Sequence, residues 1–292
     1  MMSNFHLAGI VPVAGQDLEF NMPWHDCMMP IAPDYLAIEK SIVACAYAGC
    51  ETIWVVCNQD TQPLVRHRLG DYILDPVWAF RKFEKRANDF QKLIPIFYVP
   101  IHPNDRDKRD CLSWSVLYGA HMSSKISKSM SKWLAPNMYF VDFPYGMYQI
   151  SHLRELRKLL SSENKFSLTY DGKNVGDNMY LPFTFTFNDY KFLNRELKKK
   201  STGLYKNYSF DNREKLPLKD RYSARHFQLK EVFSGLDFEN TSEVDWYHSI
   251  GSWESYVEFL GDKQNSIRKP SKNIFKYREF NGVGLNNEDN TN

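Results

Sequence analysis

No stretch of this sequence approaches the roughly 18 apolar residues that a membrane-crossing helix needs, so no membrane span is expected. Excess charge is missing too: 37 Lys and Arg against 35 Asp and Glu leave a formal net charge of +2. That supplies no global field for nucleic acid or an anionic membrane, and no nucleic-acid partner is expected. Cysteine is sparse. The five residues, Cys27, Cys45, Cys50, Cys57 and Cys111, form no C-x-x-C pair and no zinc-ligand spacing, which argues against structural zinc and disulfide-exchange motifs. Those at 45, 50 and 57 lie in an apolar helix and strand and read as buried free thiols. The odd count points to a reducing, cytoplasmic compartment, as does an N-terminus that opens on a short strand-like run rather than on a charged segment followed by a long apolar one. No internal repeat is visible.

What the chain does have is apolar material in an ordered rhythm. At 292 residues and 43% hydrophobic content it can build a sizeable core, as one large α/β domain or two small ones. Leu7 to Val13 is a continuous apolar run of strand length. Asp34 is placed to cap a helix carrying Leu36, Ile42, Val43, Ala46 and Tyr47, and Gly49 to close it. Thr52 to Cys57 reads as a buried strand. The cycle repeats with a helix over Val77 to Leu93 and a strand over Ile94 to Ile101, then with a helix from about Asp110 to Leu134 and a strand over Met138 to Val141. Alternation of this kind predicts right-handed crossovers and a mostly parallel sheet covered on both faces.

After residue 165 the rhythm changes. Phe166 to Tyr170 and Phe183 to Phe187 are strand-like, the second alternating as a half-buried strand does, with a turn at Asp171 to Asn174 between them. A helix over Asp189 to Lys200 ends in three lysines, which suit the negative end of its dipole. Aromatic residues make up 15% of the chain and concentrate between 166 and 256, where packing is the simplest reading. The division expected is a domain over 1–260, with halves at 5–165 and 166–260, followed by a polar, partly disordered tail over 261–292.

Several segments, in order, resemble the sugar-1-phosphate nucleotidyltransferases, the pyrophosphorylases of a glycosyltransferase-A-like fold. Met28-Met29-Pro30-Ile31, a helix, and then Ala48-Gly49-Cys50-Glu51-Thr52-Ile53-Trp54-Val55-Val56 are similar to the family's Leu-Leu-Pro-Ile passage with its following strand. Trp246 to Tyr256 is similar to the late Trp-x-Asp-x-Gly-Thr motif, and Met138 to Tyr148 falls where the family's strand leads to a metal-binding Asp. The resemblance spans about residues 5 to 260. It implies a Rossmann-like α/β fold, with 5–165 as the nucleotide-binding half and 166–260 as the sugar or acceptor half. Transfer of a nucleotidyl group from a nucleoside triphosphate to a sugar 1-phosphate is the implied activity.

Residue by residue, the resemblance implies nucleotide contacts at Ala14, Gly15 and Gln16, Mg²⁺ on Asp142, and a sugar side shaped by Gly251 and Glu254. Asp26 stands at the position of the family's phosphate-neutralising Lys. Asp26 and Asp142 are thus the candidate catalytic residues. The loop after the first strand reads Ala14-Gly15-Gln16-Asp17-Leu18-Glu19-Phe20, where the family has Gly-x-Gly-Thr-Arg. Its glycines and Arg cradle phosphate, and here only Gly15 is kept. In the late motif Ser249 replaces an Asp, a hard-cation ligand exchanged for a poor one. One such group typically contributes roughly 10²- to 10³-fold in rate, so the substitutions imply altered or lost phosphate chemistry.

Two readings follow: an enzyme binding a nucleotide or nucleotide-sugar with Mg²⁺, or a non-catalytic binding or assembly module on the same fold, with homo-oligomers or larger assemblies as its partners. A third, a glycosyltransferase, rests on Asp105-Arg106-Asp107. The cations Arg66, His67 and Arg68, and Arg106, Lys108 and Arg109, follow the second and third strands. The second group lies at the ligand-binding edge of an open α/β sheet. Its alternation with Asp105, Asp107 and Asp110 reads more simply as self-pairing in a solvated loop. His25 beside Asp26 is chemically competent for proton transfer or a metal site with Asp17 and Glu19. His248 beside Ser249 lacks a third triad member. Asp71, Asp75 and Asp89 read as helix-end or surface residues.

Overall fold

The apolar run at the start of the chain becomes β1 (Leu7–Pro12), buried along its whole length in the middle of the molecule. A computed structural model describes residues 5–15, 20, 22–79, 92–102, 105, 109, 111–131, 134–201, 227–270 and 274–275. From β1 the chain passes a short turn of 3₁₀ helix (Asp26–Met28) to a small hairpin, β2 (Pro30–Ala32) and β3 (Tyr35–Leu36), and then α1 (Ala37–Ala48). β4 (Thr52–Cys57), α2 (Gln62–Leu69), β5 (Tyr72–Leu74), α3 (Pro76–Ala79) and β6 (Leu93–Pro100) follow. Next come α4 (Leu112–Met130), β7 (Met138–Val141), β8 (Gly146–Tyr148), α5 (His152–Leu160) and β9 (Phe166–Thr169). The rest is β10 (Phe183–Phe185), α6 (Phe187–Ser201), α7 (Leu229–Phe233), β11 (Asn240–Glu243), β12 (Tyr247–Ser249) and α8 (Trp253–Gly261).

Eight strands share one sheet in the order β11-β9-β10-β7-β1-β4-β6-β5. β1 runs parallel to β4 and β7, β4 to β6, and β9 to β11, while β10 and β5 are antiparallel insertions. The sheet is therefore mixed and mostly parallel at its centre, as the alternating pattern predicted. A Cβ placed on Gly9 would meet Cys45 Sγ of α1 at 2.9 Å, and one on Gly119 of α4 would meet Ile10 Cγ2 at 2.9 Å. Adjacent strand residues point to opposite faces. Gly9 and Ile10 thus put α1 and α4 on opposite sides of β1, which explains why its run is apolar without alternation. Trp54 stacks on Phe97, its partner across β4 and β6, at a centroid distance of 4.4 Å. Such a pair adds about 0.5–1.5 kcal/mol beyond its buried area.

Some local expectations change. Asp34 does not cap α1: the β2–β3 hairpin intervenes, Asp34 sits in its turn at φ 52°, and Glu39 instead accepts from the Leu36 backbone N–H at 2.9 Å. The strand at 183 stops at Phe185, pairs on its two edges with β7 and β9, and is buried throughout rather than half-buried. Leu93 begins β6 rather than ending a helix. Of the helix expected from Val77, the described part is within Pro76–Ala79, and 80–91 lie outside the described residues. Asp75 does stand at a helix end, just before α3, where its Oδ1 accepts from Val77 N at 2.9 Å, but it is buried rather than superficial and takes both terminal nitrogens of Arg157, at 3.2 and 2.5 Å. Asp71 pairs with Arg66 at the surface, and Asp89 lies outside the described residues. The polar segment 202–226 and the tail's last residues, 276–292, lie outside them as well.

All five cysteines are reduced and buried. No helix among the described residues is long and apolar enough to cross a membrane.

Candidate functional site

Chain order and strand order together locate the crevice of the sheet. From β1 the chain builds outward through β4 and β6, then returns to place β7 on the other flank of β1. Ligands of open α/β sheets bind outside the carboxyl ends of the strands at such a reversal. The residues there are Val13 to Gly15 after β1, and Asp142 to Gly146 after β7.

Each is engaged by the protein itself. The backbone N–H groups of Val13 and Ala14 both donate to Val56 O, at 2.8 and 3.1 Å, and the Ala14 carbonyl accepts from Ser115 Oγ at 2.7 Å. Gly15 has φ +84°, and a Cβ there would lie 2.5–2.6 Å from the Cys111 backbone. Glycine is required on both counts. The loop thus leaves the sheet pressed against the start of α4. Gln16, with Asp17 and Glu19, lies outside the described residues.

Asp142 is fully buried at the end of β7. Its Oδ2 receives Lys40 Nζ at 2.8 Å and its Oδ1 the Tyr148 hydroxyl at 2.5 Å. Lys40 reaches it from α1 and also donates to the carbonyls of Phe143 and Gly146, at 2.9 and 2.8 Å, so all three ammonium protons have acceptors. Burial pulls the Lys40 ammonium below its ordinary pKa against the opposing pull of Asp142, and burial, then Asp142, pushes the Tyr148 phenol up. A carboxylate with both oxygens occupied offers no free edge to a hard cation. The residue facing it in the resemblance, Ser249, accepts from Gly251 N at 3.3 Å. These donors do not fit Mg²⁺ as arranged. Among the described residues no group of three or more His, Cys, Asp or Glu is placed to hold a metal ion.

Tyr145 occupies the reversal point. It is fully buried, its hydroxyl donates to Val13 O at 3.4 Å, and its carbonyl accepts from Ile250 N at 2.9 Å, tying β1, the β7 exit and the end of β12 together. Asp26, half-buried in the 3₁₀ turn, lies near enough to raise the Tyr145 pKa further, behind burial and Cys27. His25 caps that turn: its Nδ1 accepts from Cys27 N at 3.2 Å, and burial holds its pKa below the ordinary value. That assigns His25 a neutral ring with the proton on Nε2. Phe20 packs edge-on against Trp253 and Tyr256 of α8, at 6.1 and 5.7 Å. Tyr256 in turn donates to Pro30 O at 2.6 Å.

Of the residues that the resemblance assigns to a sugar, Gly251 is half-buried beside Tyr180, and Glu254 is exposed in the first turn of α8 with Trp253. His248 and Ser249 point to opposite faces of β12. His248 meets Asp262 Oδ2 at 2.8 Å, whereas Ser249 serves Gly251, so they form no dyad. Cations that follow the second and third strands of the sequence reading are ion-paired as well: Arg68 holds Glu39 and Asp34, Arg66 holds Asp71, and Arg109 holds Asp105 at 2.7 Å. Arg106, Asp107, Lys108 and Asp110 lie outside the described residues.

One solved structure similar to this chain is of a protein named as a glucose-1-phosphate thymidylyltransferase from Bacillus anthracis, in complex with sucrose. The TM-score is 0.50 over 87% of this chain and 94% of that one, at 8% identity. The fold is nucleotidyltransferase-like. At that identity the likeness shows the fold alone. A second structure, Rv0371c from Mycobacterium tuberculosis H37Rv, aligns at TM-score 0.43 and 11% identity over 89% of this chain and all of that one, too distant to add to the argument. No protein-family model and no curated protein matches the sequence.

Within this nucleotidyltransferase-like frame the residues that sequence reasoning missed are Lys40, Tyr145 and Tyr148. Lys40 carried a signal: it is the one cation in a helix whose other residues, Glu39 apart, are apolar or small. A lone charge in an apolar helix needs a buried partner. Tyr145 and Tyr148 carried none, because buried aromatics look alike in sequence.

Proposed function

We propose that this chain is a non-catalytic binding module on a nucleotidyltransferase-like fold, taking a sugar or nucleotide-sugar without transferring a nucleotidyl group. The observation that carries the reading is the engagement of Asp142: Lys40 and Tyr148 hold both of its oxygens in a site with no exposed atom. Tyr145 across the reversal point supports it, as does the absence of a Gly-rich phosphate loop. The sugar side keeps accessible recognition groups in Glu254 and Trp253, a carboxylate and a flat aromatic face. A structural neighbour that carries sucrose supports a carbohydrate-bearing ligand.

The test combines turnover and binding. The protein is incubated with each nucleoside triphosphate, a panel of sugar 1-phosphates and Mg²⁺, and pyrophosphate release is followed. In parallel, thermal shift is read with nucleotide-sugars and free sugars, with and without Mg²⁺. The expected result is stabilisation by a sugar-bearing ligand, independent of Mg²⁺, and no pyrophosphate. Mg²⁺-dependent pyrophosphate release coupled to a sugar 1-phosphate would overturn the reading.

One observation favours an assembly role for the same module. α8 exposes Trp253, Val257 and Leu260 by 53%, 50% and 51%, a stripe at helical spacing. Light scattering of the wild type and of a Val257→Glu/Leu260→Glu variant checks it: an oligomer that dissociates in the variant supports assembly through α8, and a monomeric wild type rules it out.

A further inference from the structure

Two exposed helical faces of this chain carry opposite charge. On α8 the exposed apolar row of Trp253, Val257 and Leu260 is bordered by an exposed acidic row, Glu254 and Glu258. No residue of that helix is basic, and neither glutamate has an ion-pair partner among the described residues.

The opposite sign gathers on the outer face of α4 and α6. α4 has no Asp or Glu in its 19 residues and exposes Lys125 and Lys128, while α6 exposes Lys191 and Arg195 one turn apart. Lys128 and Lys191 reach one place, the Phe187 ring, at 4.3 and 5.1 Å from its centroid. Neither these two nor Lys125 meets a carboxylate among the described residues. The acids of α6 are already answered: Glu196 takes Lys199 at 3.0 Å and lies 3.9 Å from Arg195, and Asp189 takes Lys165 at 3.6 Å. The surplus is felt between the helices, where burial, then Lys125 and Lys198, hold the His121 pKa below its ordinary value.

Charge on a helix surface is the ordinary solvated state and by itself names no occupant. Spacing and order narrow the choice. Glu254 and Glu258 are four residues apart, as are Lys191 and Arg195, so each pair spans about 6 Å of helix. Each charged row has an apolar neighbour about 100° round its helix: Trp253 and Val257 precede the glutamates, whereas Phe192, 47% exposed, follows Lys191. Because the order is reversed, two such helices laid face to face and running in the same direction set glutamate against cation and the apolar row against Phe192. All of these residues are exposed, so the two faces do not meet within one chain.

We infer that α8 of one copy docks on the α4–α6 face of a second copy, head to tail. The inference rests on the assembly reading of α8 and names its partner. Such a contact is heterologous, so it repeats from copy to copy into a ring or an open chain rather than closing as a two-fold dimer.

Sedimentation velocity of the full chain over a concentration series tests this, with charge reversed on each face: Glu254→Lys/Glu258→Lys on α8, and Lys191→Glu/Arg195→Glu on α6. The wild type is expected to associate, and less so at high salt. Each reversal sets like charges against one another and should raise the dissociation constant at least about tenfold, with circular dichroism unchanged. An equimolar mixture of the two variants should associate again, because each reversed face finds its complement on the other variant. A mixture that stays dissociated overturns the inference. So does an oligomer that falls apart in Val257→Glu/Leu260→Glu but withstands Lys191→Glu/Arg195→Glu, a result that leaves assembly through α8 standing. A wild type that is monomeric throughout overturns both.

Discussion

Replacing Lys40 with Met tests whether the Asp142 cluster is a structural element. Lys40 and Asp142 are both fully buried, and the substitution removes three donated hydrogen bonds and leaves the Asp142 carboxyl without its cationic partner. Breaking a buried pair from one side costs about 3–5 kcal/mol, because the surviving charge loses its partner. The Tyr148 hydroxyl still reaches Asp142 Oδ1, which places the expectation near the lower end, about 3 kcal/mol. For a domain of this size each kcal/mol moves the thermal midpoint by roughly 2–4 °C, so a fall of about 6–12 °C is expected. Urea unfolding, read by tryptophan fluorescence, gives the free energy and checks through the slope that the transition stays cooperative. The partner variant Asp142→Asn and the double variant complete the cycle. Because the charges exist for each other, the double variant should cost less than the two singles together, by at least about 1 kcal/mol. A shift below about 2 °C in Lys40→Met, or strict additivity in the cycle, would refute the account of Asp142 as a structural carboxylate.

Other consequences are as direct. Gly15→Ala combines a left-handed backbone with a Cβ 2.5 Å from the Cys111 backbone, and should destabilise by about 2–4 kcal/mol in chemical denaturation, where a loss under 1 kcal/mol would show that the loop can move away from α4. Arg157→Ala strands the buried carboxylate of Asp75 and should cost about 2–4 kcal/mol, whereas Arg157→Lys should recover only part of it, because one ammonium cannot reproduce two terminal nitrogens. Asp262 is held at about 2, below the ordinary 3.8, by hydrogen bonds from Trp246 Nε1, the Gln264 backbone and His248. A depressed carboxylate contributes its full stabilisation above 3.8 and loses it as the pH falls through about 2. The thermal midpoints of wild type and Asp262→Asn should therefore converge as pH falls across that window, and a constant gap would contradict the assignment.

Much of the central sheet was legible, for a physical reason. β1, β4 and β7 are buried, so their apolar runs are uninterrupted; β4 and β7 keep the limits expected from the sequence, and β1 stops one residue short of its run, at Pro12. The short elements β2, β3, β5, β8 and β12 have two or three residues each, too few for any period to register. The site was legible in its backbone and not in its chemistry. Gly15 and Gly49 announce left-handed turns because few other residues fit there. Asp142 looked like a ligand because a carboxylate after a strand can be either a ligand or half of a buried pair. The difference lies in Lys40, 102 residues away in the chain.

The buried cysteines give the molecule a set of reporters of its own opening. Cys27 sits in the 3₁₀ turn, Cys45 in α1, Cys50 just ahead of β4, Cys57 at the end of that strand, and Cys111 at the start of α4. With every native thiol shielded, a reagent such as a disulfide or an iodoacetamide reacts only with conformers in which a given segment has come apart. Mass spectrometry of the modified peptides then ranks the local opening of five places around the sheet without any label being introduced. A single cysteine added at the surface would be the fast-reacting one, which makes the wild-type background suitable for attaching a probe at a chosen position.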